Sequence, residues 1–367
     1  MAEGYLQGPV LVIGTGLLGT SAALGLRAAG IEVGLRDASP TAQRIAVDMG
    51  AGFLAPQGTD FAPSLVVVAT PPDVTPGIIA QALVEFPEAV VIDLASVKGS
   101  IIDVLKADDD VAEADLARYV GCHPMAGREK SGPAAARGAL FTASPWVVVP
   151  HEGSTPHAVK TAKSVGLDLG ASITVMDAET HDAAVALISH FPQIASSLLA
   201  SRLLNAPASS LALAGNGLRD TTRIAASDPK LWIQILAHNA QQLIPILEGL
   251  QSDLDRLLAT LRDPFASGAA LDLAELMTEG NQGQARIPGK HGAPPQSFAT
   301  VSVIVNDEPG QVARLLTDMG EAGINMEDLR MEHSSGYEVG LVEIQVLPGR
   351  RDELVSVLTG LDWKVVQ

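Results

Sequence analysis

Short apolar runs at residues 10–13, 33–35, 65–69, 90–94, 119–122, 146–149 and 173–176 alternate with amphipathic stretches. Such runs read as strands buried on both faces, and the stretches between them suit crossover helices, so this part of the chain predicts a parallel, doubly wound α/β sheet. From Glu179 the strand pattern stops. Apolar positions now recur at spacings of three and four, as in Val185, Ile188, Phe191, Ala195, Leu198 and Leu199, which predicts helices over 179–279. These helices are rich in Ala and Leu around much of their circumference, which predicts burial on more than one side and hence a homodimer interface.

Residues 281–297 hold Gly283, Pro288, Gly289, Gly292, Pro294 and Pro295 with almost nothing to bury, and read as a linker. Beyond it, 298–305 alternates as a strand, 309–322 reads as a helix, and 339–347 alternates again. A helix near 350–361 and a strand at 363–366 follow. With 325–332 as a further strand the order is β-α-β-β-α-β, a ferredoxin-like unit. The organisation predicted is therefore a Rossmann-type domain over 1–178, an all-α dimerisation and substrate domain over 179–280, the linker, and an α+β domain over 298–367.

Composition narrows the partners. A chain of 367 residues with 47% hydrophobic content supports two or three packed domains. Its 24 Lys and Arg against 42 Asp and Glu give a formal charge of −18, which disfavours nucleic acid or an anionic membrane surface as the main partner. The single cysteine, Cys122, forms no internal disulfide or cysteine-rich zinc site; it reads as a buried strand residue, and no metal is assigned. Met1-Ala2-Glu3-Gly4 lacks a signal-peptide start, and no apolar run approaches the ~18 residues of a membrane span, so a cytoplasmic location is expected. The acidic run Asp108 to Asp110, with Glu113 and Asp115, reads as a solvated loop or helix face.

Gly14-Thr15-Gly16-Leu17-Leu18-Gly19 follows the first strand directly and opens a helical run, which is where a dinucleotide fingerprint has to lie. Gly14 permits the tight turn, Gly16 lets the backbone approach the pyrophosphate, and Gly19 lets helix and strand pack closely, while the helix N-terminus offers its N–H groups. Asp37 ends the second strand at the spacing of the ribose-binding acid and favours NAD over NADP; Arg36 beside it is the one feature that could accommodate a 2′-phosphate. Thr70 and Pro71, after the strand at 65–69, border the same crevice. The cofactor set is thus Gly14, Gly16, Leu18, Gly19, Asp37, Thr70 and Pro71.

Ser96 and His123 follow or end the next two strands, and the C-terminal strand ends of such a sheet line the ligand crevice. A hydrolase would gain nothing from a bound dinucleotide. Removal of a hydroxyl proton during hydride loss fits the pair better.

At this point the sequence resembles the prephenate/arogenate dehydrogenase family of tyrosine biosynthesis. The resemblance rests on Gly14 to Gly19, Asp93 to Lys98, His123-Pro124-Met125-Ala126-Gly127 with Glu129-Lys130-Ser131-Gly132, Ser189-His190-Phe191-Pro192, and Gly217-Leu218-Arg219-Asp220-Thr221-Thr222-Arg223-Ile224-Ala225 with Ser227-Asp228-Pro229 and Trp232. It covers about residues 8–280. The tail, with Asp307-Glu308-Pro309-Gly310 between its first strand and helix, resembles an ACT domain, a module that commonly binds amino acids.

The resemblance implies NAD-dependent oxidative decarboxylation of prephenate or arogenate. It makes His123 the proton acceptor, Ser96 its orienting partner, His190 a second active-site histidine, and Arg223 the substrate-carboxylate arginine, whose planar fork suits bidentate binding. Trp232 matches an aromatic position near the substrate, and equally reads as helix packing. His190 has a packing alternative too, although a kink at Pro192 would aim it into the cleft. Many members carry a further histidine where this chain has Gln193. Lys98, Arg128, Lys130, Arg286 and Lys290 are either a local positive field for a dianionic substrate or plain surface charge. In the tail, Asn306, Glu308, Gly310 and Asn325 are the implied effector site, with tyrosine as ligand, against the alternative of a purely structural module. Two other readings stand: a non-catalytic NAD- and amino-acid-sensing regulator, and a 3-hydroxy acid dehydrogenase with a catalytic lysine on the helical domain.

Overall fold

The computed structural model describes residues 5–56, 61–127, 131–288, 298–333 and 339–366, grouped in two compact units, Met1–Asp253 and Leu254–Gln367. The first is built on β1 (Val10–Ile13), α1 (Leu17–Ala28), β2 (Val33–Arg36), α2 (Pro40–Asp48), β3 (Phe53–Leu54), β4 (Leu65–Val68), α3 (Thr75–Glu85), β5 (Val90–Asp93), α4 (Gly99–Lys106), α5 (Glu113–Leu116), β6 (Tyr119–Pro124), β7 (Pro145–Val149), α6 (Pro156–Asp168) and β8 (Ser172–Val175). The sheet order is β3-β2-β1-β4-β5-β6-β7-β8. The chain winds outward from β1 in one direction and then, from β4, in the other, so a crevice opens beyond the C-terminal ends of β1 and β4.

Alternate residues of each strand serve opposite faces. Val10, Val12, Val33, Leu35, Leu65 and Val67 pack with Ala22 and Leu26 of α1 and Ala162 and Val165 of α6. Leu11, Val66, Val68 and Val91 pack with Ile79 and Leu83 of α3 and Ile101 of α4. Each such fully buried aliphatic side chain contributes about 1.5–3 kcal/mol.

Two features depart from the sequence expectation, and the second of them from an all-parallel sheet. β3 is a two-residue edge strand that no apolar run announces. β7 runs antiparallel to β6, with His123 opposite Val147 and Pro124 opposite Trp146. Within the described part of 125–144 there is one 3-10 turn and no crossover helix, so the chain turns back where β6 ends; a parallel partner requires a crossover to the other end of the sheet.

The helices begin on sequence signals. Ser39, Thr155 and Asp228 each cap a helix whose first residue is proline, and Asp177 caps α7 (Ala178–Val185). A π turn, Ala186–His190, joins α7 to α8 (Phe191–Ser201) in one continuous helix. Pro192 lacks an N–H and crowds the carbonyl of Ile188, and the wider turn just ahead accommodates both defects. That helix is long and apolar enough to cross a bilayer, contrary to the sequence expectation. Its buried His181, Asp182, His190 and Gln193 all hydrogen-bond within this unit, which makes it a helix of a folded domain. Then follow α9 (Ala208–Leu211), α10 (Asn216–Thr222), α11 (Pro229–His238) and α12 (Ala240–Arg262), which ends in the second unit. Leu187, Ile188, Leu198, Leu204, Leu213 and Ile233 are all more than half exposed.

In the second unit Arg256 of α12 pairs with Asp272 (2.5 Å) and Glu275 (3.1 Å) of α13 (Ala269–Gln284). α13 extends four residues into the stretch expected as linker, of which 289–297 lie outside the described residues. β9 (Ala299–Asn306), α14 (Gln311–Glu321), β10 (Asp328–His333), β11 (Val339–Val346), α15 (Arg351–Gly360) and β12 (Lys364–Val366) form an antiparallel sheet of order β10-β11-β9-β12, the ferredoxin-like arrangement. β10 starts three residues later than its pattern predicts. Gly323, at φ +66°, ends α14, and the Ile324 N–H bonds back to Met319 O (3.0 Å), tucking Ile324 into the core first.

Candidate active site

At the β1–α1 turn the three glycines of the fingerprint face different constraints. Gly14 has φ +99°, and a Cβ there would stand 2.4 Å from Ala69 O at the end of β4. A Cβ on Gly19 would stand 1.9 Å from Gly14 O, whereas one on Gly16 would meet nothing within 4 Å. The open side of Gly16 leads to the N-terminus of α1, where no side chain caps the helix and no acid occupies the first turn that holds Leu17 and Leu18. This is a cradle for a pyrophosphate, with unmet N–H donors and room beside them.

Asp37 lies one residue beyond β2. Its Oδ2 accepts from Thr15 N (2.5 Å) and Thr15 Oγ1 (2.8 Å), and its Oδ1 from Ser39 N (2.7 Å), so the acid is fixed at the rim of the cradle. Arg36 is committed elsewhere: both Glu85 oxygens (2.8 and 2.9 Å), Pro56 O (2.9 Å) and the face of Phe86 hold its guanidinium. Thr70 bonds Thr75 Oγ1 (2.9 Å), and its Cγ2 lies 3.2 Å from where a Gly14 Cβ would be, which places it at the β1/β4 crevice; Pro71 O accepts from the same Thr75 hydroxyl (2.9 Å). These residues fit NAD.

His123, near the end of β6, is 8% exposed. Its Nδ1 lies 2.8 Å from Nε2 of His181, whose own Nδ1 lies 2.7 Å from Asp182 Oδ1. Asp182 also accepts Lys98 N (3.0 Å) and Gly99 N (2.7 Å), capping α4 from another helix. Burial pushes the His123 imidazole well below its ordinary value, and the neighbouring His181, Lys98 and His190 push the same way. Ser96, three residues beyond β5 and half-buried, makes no hydrogen bond with His123 or any other described residue. The partner that orients His123 in this structure is His181. Neither His181 nor Asp182 was found by sequence reasoning, although a His-Asp pair within an Ala- and Val-rich helix is a signal, since charged groups seldom sit in such a run unpaired.

His190 is fully buried, and Asn239, at the end of α11, reaches both its Nδ1 (3.0 Å) and Asp182 O (2.8 Å) through one nitrogen. A carbonyl only accepts, so the Asn239 amide NH2 must face it and also donates to His190 Nδ1. The His190 proton then sits on Nε2. Burial holds this imidazole down at about 4, against the opposing pull of Asp182. Trp232 of α11 stands edge-on to the His190 ring, with centroids 6.1 Å apart. Arg223 opens the 3-10 turn Arg223–Ala225 that packs on α8, and its side chain is exposed. Gln193 is buried and takes a 3.4 Å bond from Ser227. His190, Gln193, Arg223 and Trp232 thus belong to one group of helices.

Lys98 is neither surface charge nor part of a substrate field. At 2% exposure it bonds Asp93 and Cys122 O, and Asp93 also accepts from Tyr119 OH (2.7 Å). Its charge is neutralised under β6, where it holds the backbone beside His123. Cys122 is buried and burial raises its thiol pKa, in keeping with the strand role expected of it. Arg286 is exposed, while Lys130, Arg128 and Lys290 lie outside the described residues. In the tail, Asn306, Glu308, Gly310 and Asn325 are all exposed; Gly310, at φ +91°, precedes α14, and Glu308 N bonds Asn306 O (2.8 Å).

A doubly wound sheet with a glycine cradle, an acid fixed at its rim and a neutral histidine at the end of β6 defines an NAD-dependent oxidoreductase. The nucleotide-binding domain of prephenate dehydrogenase matches residues 22–175, and the dimerization domain of prephenate dehydrogenase matches residues 177–279. The chain belongs to the prephenate dehydrogenase family. It is 38% identical to the probable prephenate dehydrogenase NovF of Streptomyces niveus over 96% of this chain and 98% of that one. Among solved structures, prephenate dehydrogenase from A. aeolicus, in complex with hydroxyphenyl propionate and NAD+, superposes with a TM-score of 0.64 at 26% identity, covering 76% of this chain and 98% of that one. Synechocystis arogenate dehydrogenase gives 0.59 at 26%, covering 75% and 99%.

Proposed function

We propose that this chain oxidises prephenate with NAD+ to 4-hydroxyphenylpyruvate and CO2, the step that opens the tyrosine branch of aromatic amino acid biosynthesis. The observation that carries the reading is a buried, neutral His123 with Nδ1 already engaged, so that Nε2 is the ring nitrogen left for substrate. The substrate O–H gives its proton to Nε2 of His123, the carbinol C–H leaves as hydride, and the bond to the ring carboxylate breaks to release CO2 as the ring becomes aromatic. NAD+, when bound, supplies the hydride acceptor. His190, carrying its proton on Nε2, donates to the substrate, and Arg223 binds a carboxylate as a planar fork. Trp232 packs beside His190, and Lys130 adds positive charge for the dianion. Ser96, three residues beyond β5, orients the nicotinamide in this reading.

L-Arogenate is the second substrate to be tested, because Gln193, an uncharged amide, stands beside the substrate helices. Initial rates with prephenate and L-arogenate, each with NAD+ and NADP+, test the reading. NADH and CO2 should form in equal amounts, and folded protein that reduces neither cofactor with either substrate refutes it.

The exposed leucines and isoleucines of the helical segment are the surface a second copy covers, and the working form is a homodimer in the cytoplasm. The ferredoxin-like tail is an ACT domain in which Asn306, Glu308, Gly310 and Asn325 bind tyrosine. Coupling of about 1–3 kcal/mol would alter substrate affinity roughly 5- to 150-fold, with the reciprocal effect on tyrosine. Deleting residues 298–367 tests this: unaltered tyrosine inhibition in a folded truncate would place the effect at Arg223.

A further inference from the structure

The hydrogen-bond order behind His123 decides where its proton sits. Asp182 is 5% exposed, and its carboxylate, which only accepts, takes two backbone N–H groups at the start of α4. The third contact, His181 Nδ1, must therefore donate. A neutral imidazole that donates from Nδ1 has its lone pair on Nε2, and His181 Nε2 faces His123 Nδ1 at 2.8 Å. His123 then donates from Nδ1 and keeps its lone pair on Nε2.

We propose that Asp182 and His181 are positioning residues that hold His123 in its Nδ1–H tautomer and so create the base at Nε2. The proposal rests on His123 being the proton acceptor. When Nε2 takes the substrate proton, the new imidazolium donates through Nδ1 to His181, and that charge lies two hydrogen bonds from the Asp182 carboxylate. The same carboxylate anchors the N–H groups of Lys98 and Gly99, so one acid ties the loop of Ser96 to the base. The two active-site histidines consequently hold opposite tautomers, His123 set by His181 and His190 by Asn239.

Capping α4 would by itself explain a buried Asp182, and the test has to separate the roles. The ionisable groups around His123 are Asp93, Lys98, Tyr119 and Cys122 on the sheet side and His181, Asp182 and His190 on the helix side; none of the others supplies an acceptor to His181 Nδ1. In Asp182 the α4 N–H of Lys98 and His181 Nδ1 share Oδ1, so Asp182→Asn with its NH2 turned to His181 keeps an oxygen for Gly99 N alone. His181 would then protonate at Nε2, donate to His123 Nδ1, and force the His123 proton onto Nε2. The expected result is a kcat lower by about 10²- to 10⁴-fold, with KM and NAD affinity changed by less than about threefold.

His181→Gln, whose amide can accept from His123 and donate to Asp182, should keep kcat within about tenfold, whereas His181→Leu should not. The direct readout is the 15N spectrum of His123 in the unsubstituted enzyme, expected to show the proton on Nδ1, and in Asp182→Asn, expected to show it on Nε2. A proton on Nε2 in the unsubstituted enzyme overturns the proposal whether or not any variant folds, as does a folded Asp182→Asn in which the His123 proton has moved to Nε2 and kcat stays within about threefold. Full activity in His123→Asn would instead overturn the assignment of the base.

Discussion

The same substitution, glycine to alanine, should do opposite things at two positions three residues apart. At Gly16 an added methyl meets no protein atom within 4 Å, and the backbone there, at φ −71°, is one alanine adopts readily. Stability should fall by only about 0.5–1 kcal/mol, the difference between glycine and alanine at an N-cap, which is about 1–4 °C in Tm. The methyl would occupy the open side of the cradle and hold the pyrophosphate off the helix N-terminus. Two charge-assisted hydrogen bonds at about 1.5 kcal/mol each amount to about 3 kcal/mol, or roughly a hundredfold in Kd for NAD. At Gly19 the methyl would lie 1.9 Å from Gly14 O and 2.9 Å from the Ala69 side chain, inside backbone that has no room to give. That cost is about 3 kcal/mol or more, with Tm lower by about 6–12 °C. Titration calorimetry with NAD and thermal unfolding of both variants separate the two effects. Unchanged NAD affinity in a folded Gly16→Ala variant would refute the pyrophosphate seat and reduce the motif to a packing turn.

His123→Asn should lower kcat by about 10²- to 10⁴-fold with NAD affinity unchanged, and an intact kcat would transfer the role of base to His190. Burial lowers the His123 pKa, so the acid limb of kcat/KM should lie below pH 6.5, the ordinary histidine value; an inflection at or above 6.5 contradicts the buried neutral base. Folded protein keeps His123 and His190 uncharged where the unfolded chain takes up protons. Stability is therefore full above about pH 6.5 and lost as pH falls towards about 4, a trend that His190→Asn should flatten in urea titrations at stepped pH. Arg223→Ala should raise substrate KM by more than about twentyfold while sparing NAD, and a change under about twofold would make the arginine structural.

The strands of the large sheet were legible because residues buried on both faces must be apolar without interruption, and the glycine fingerprint because the turn needs φ +99° at Gly14 and close packing at Gly19, both of which call for glycine. The helical segment and the β-α-β-β-α-β tail were legible from periodicity for the same reason. Strand direction was not: the apolar run of β7 is the same whichever way it pairs, and only the return of the chain at the end of β6 decides it. The site divides along similar lines. Asp37, His123, His190 and Arg223 stand at positions that motif and resemblance pick out, whereas the partner of His123 comes from a helix more than fifty residues later in the chain. Arg36 could not be read from its own position either, since Glu85 and Phe86 reach it only once α3 lies against the sheet. Local chemistry and period are written in the order of the residues. Which donor meets which acceptor depends on groups brought together by packing, so the state of the His123 proton is a property of the tertiary structure alone.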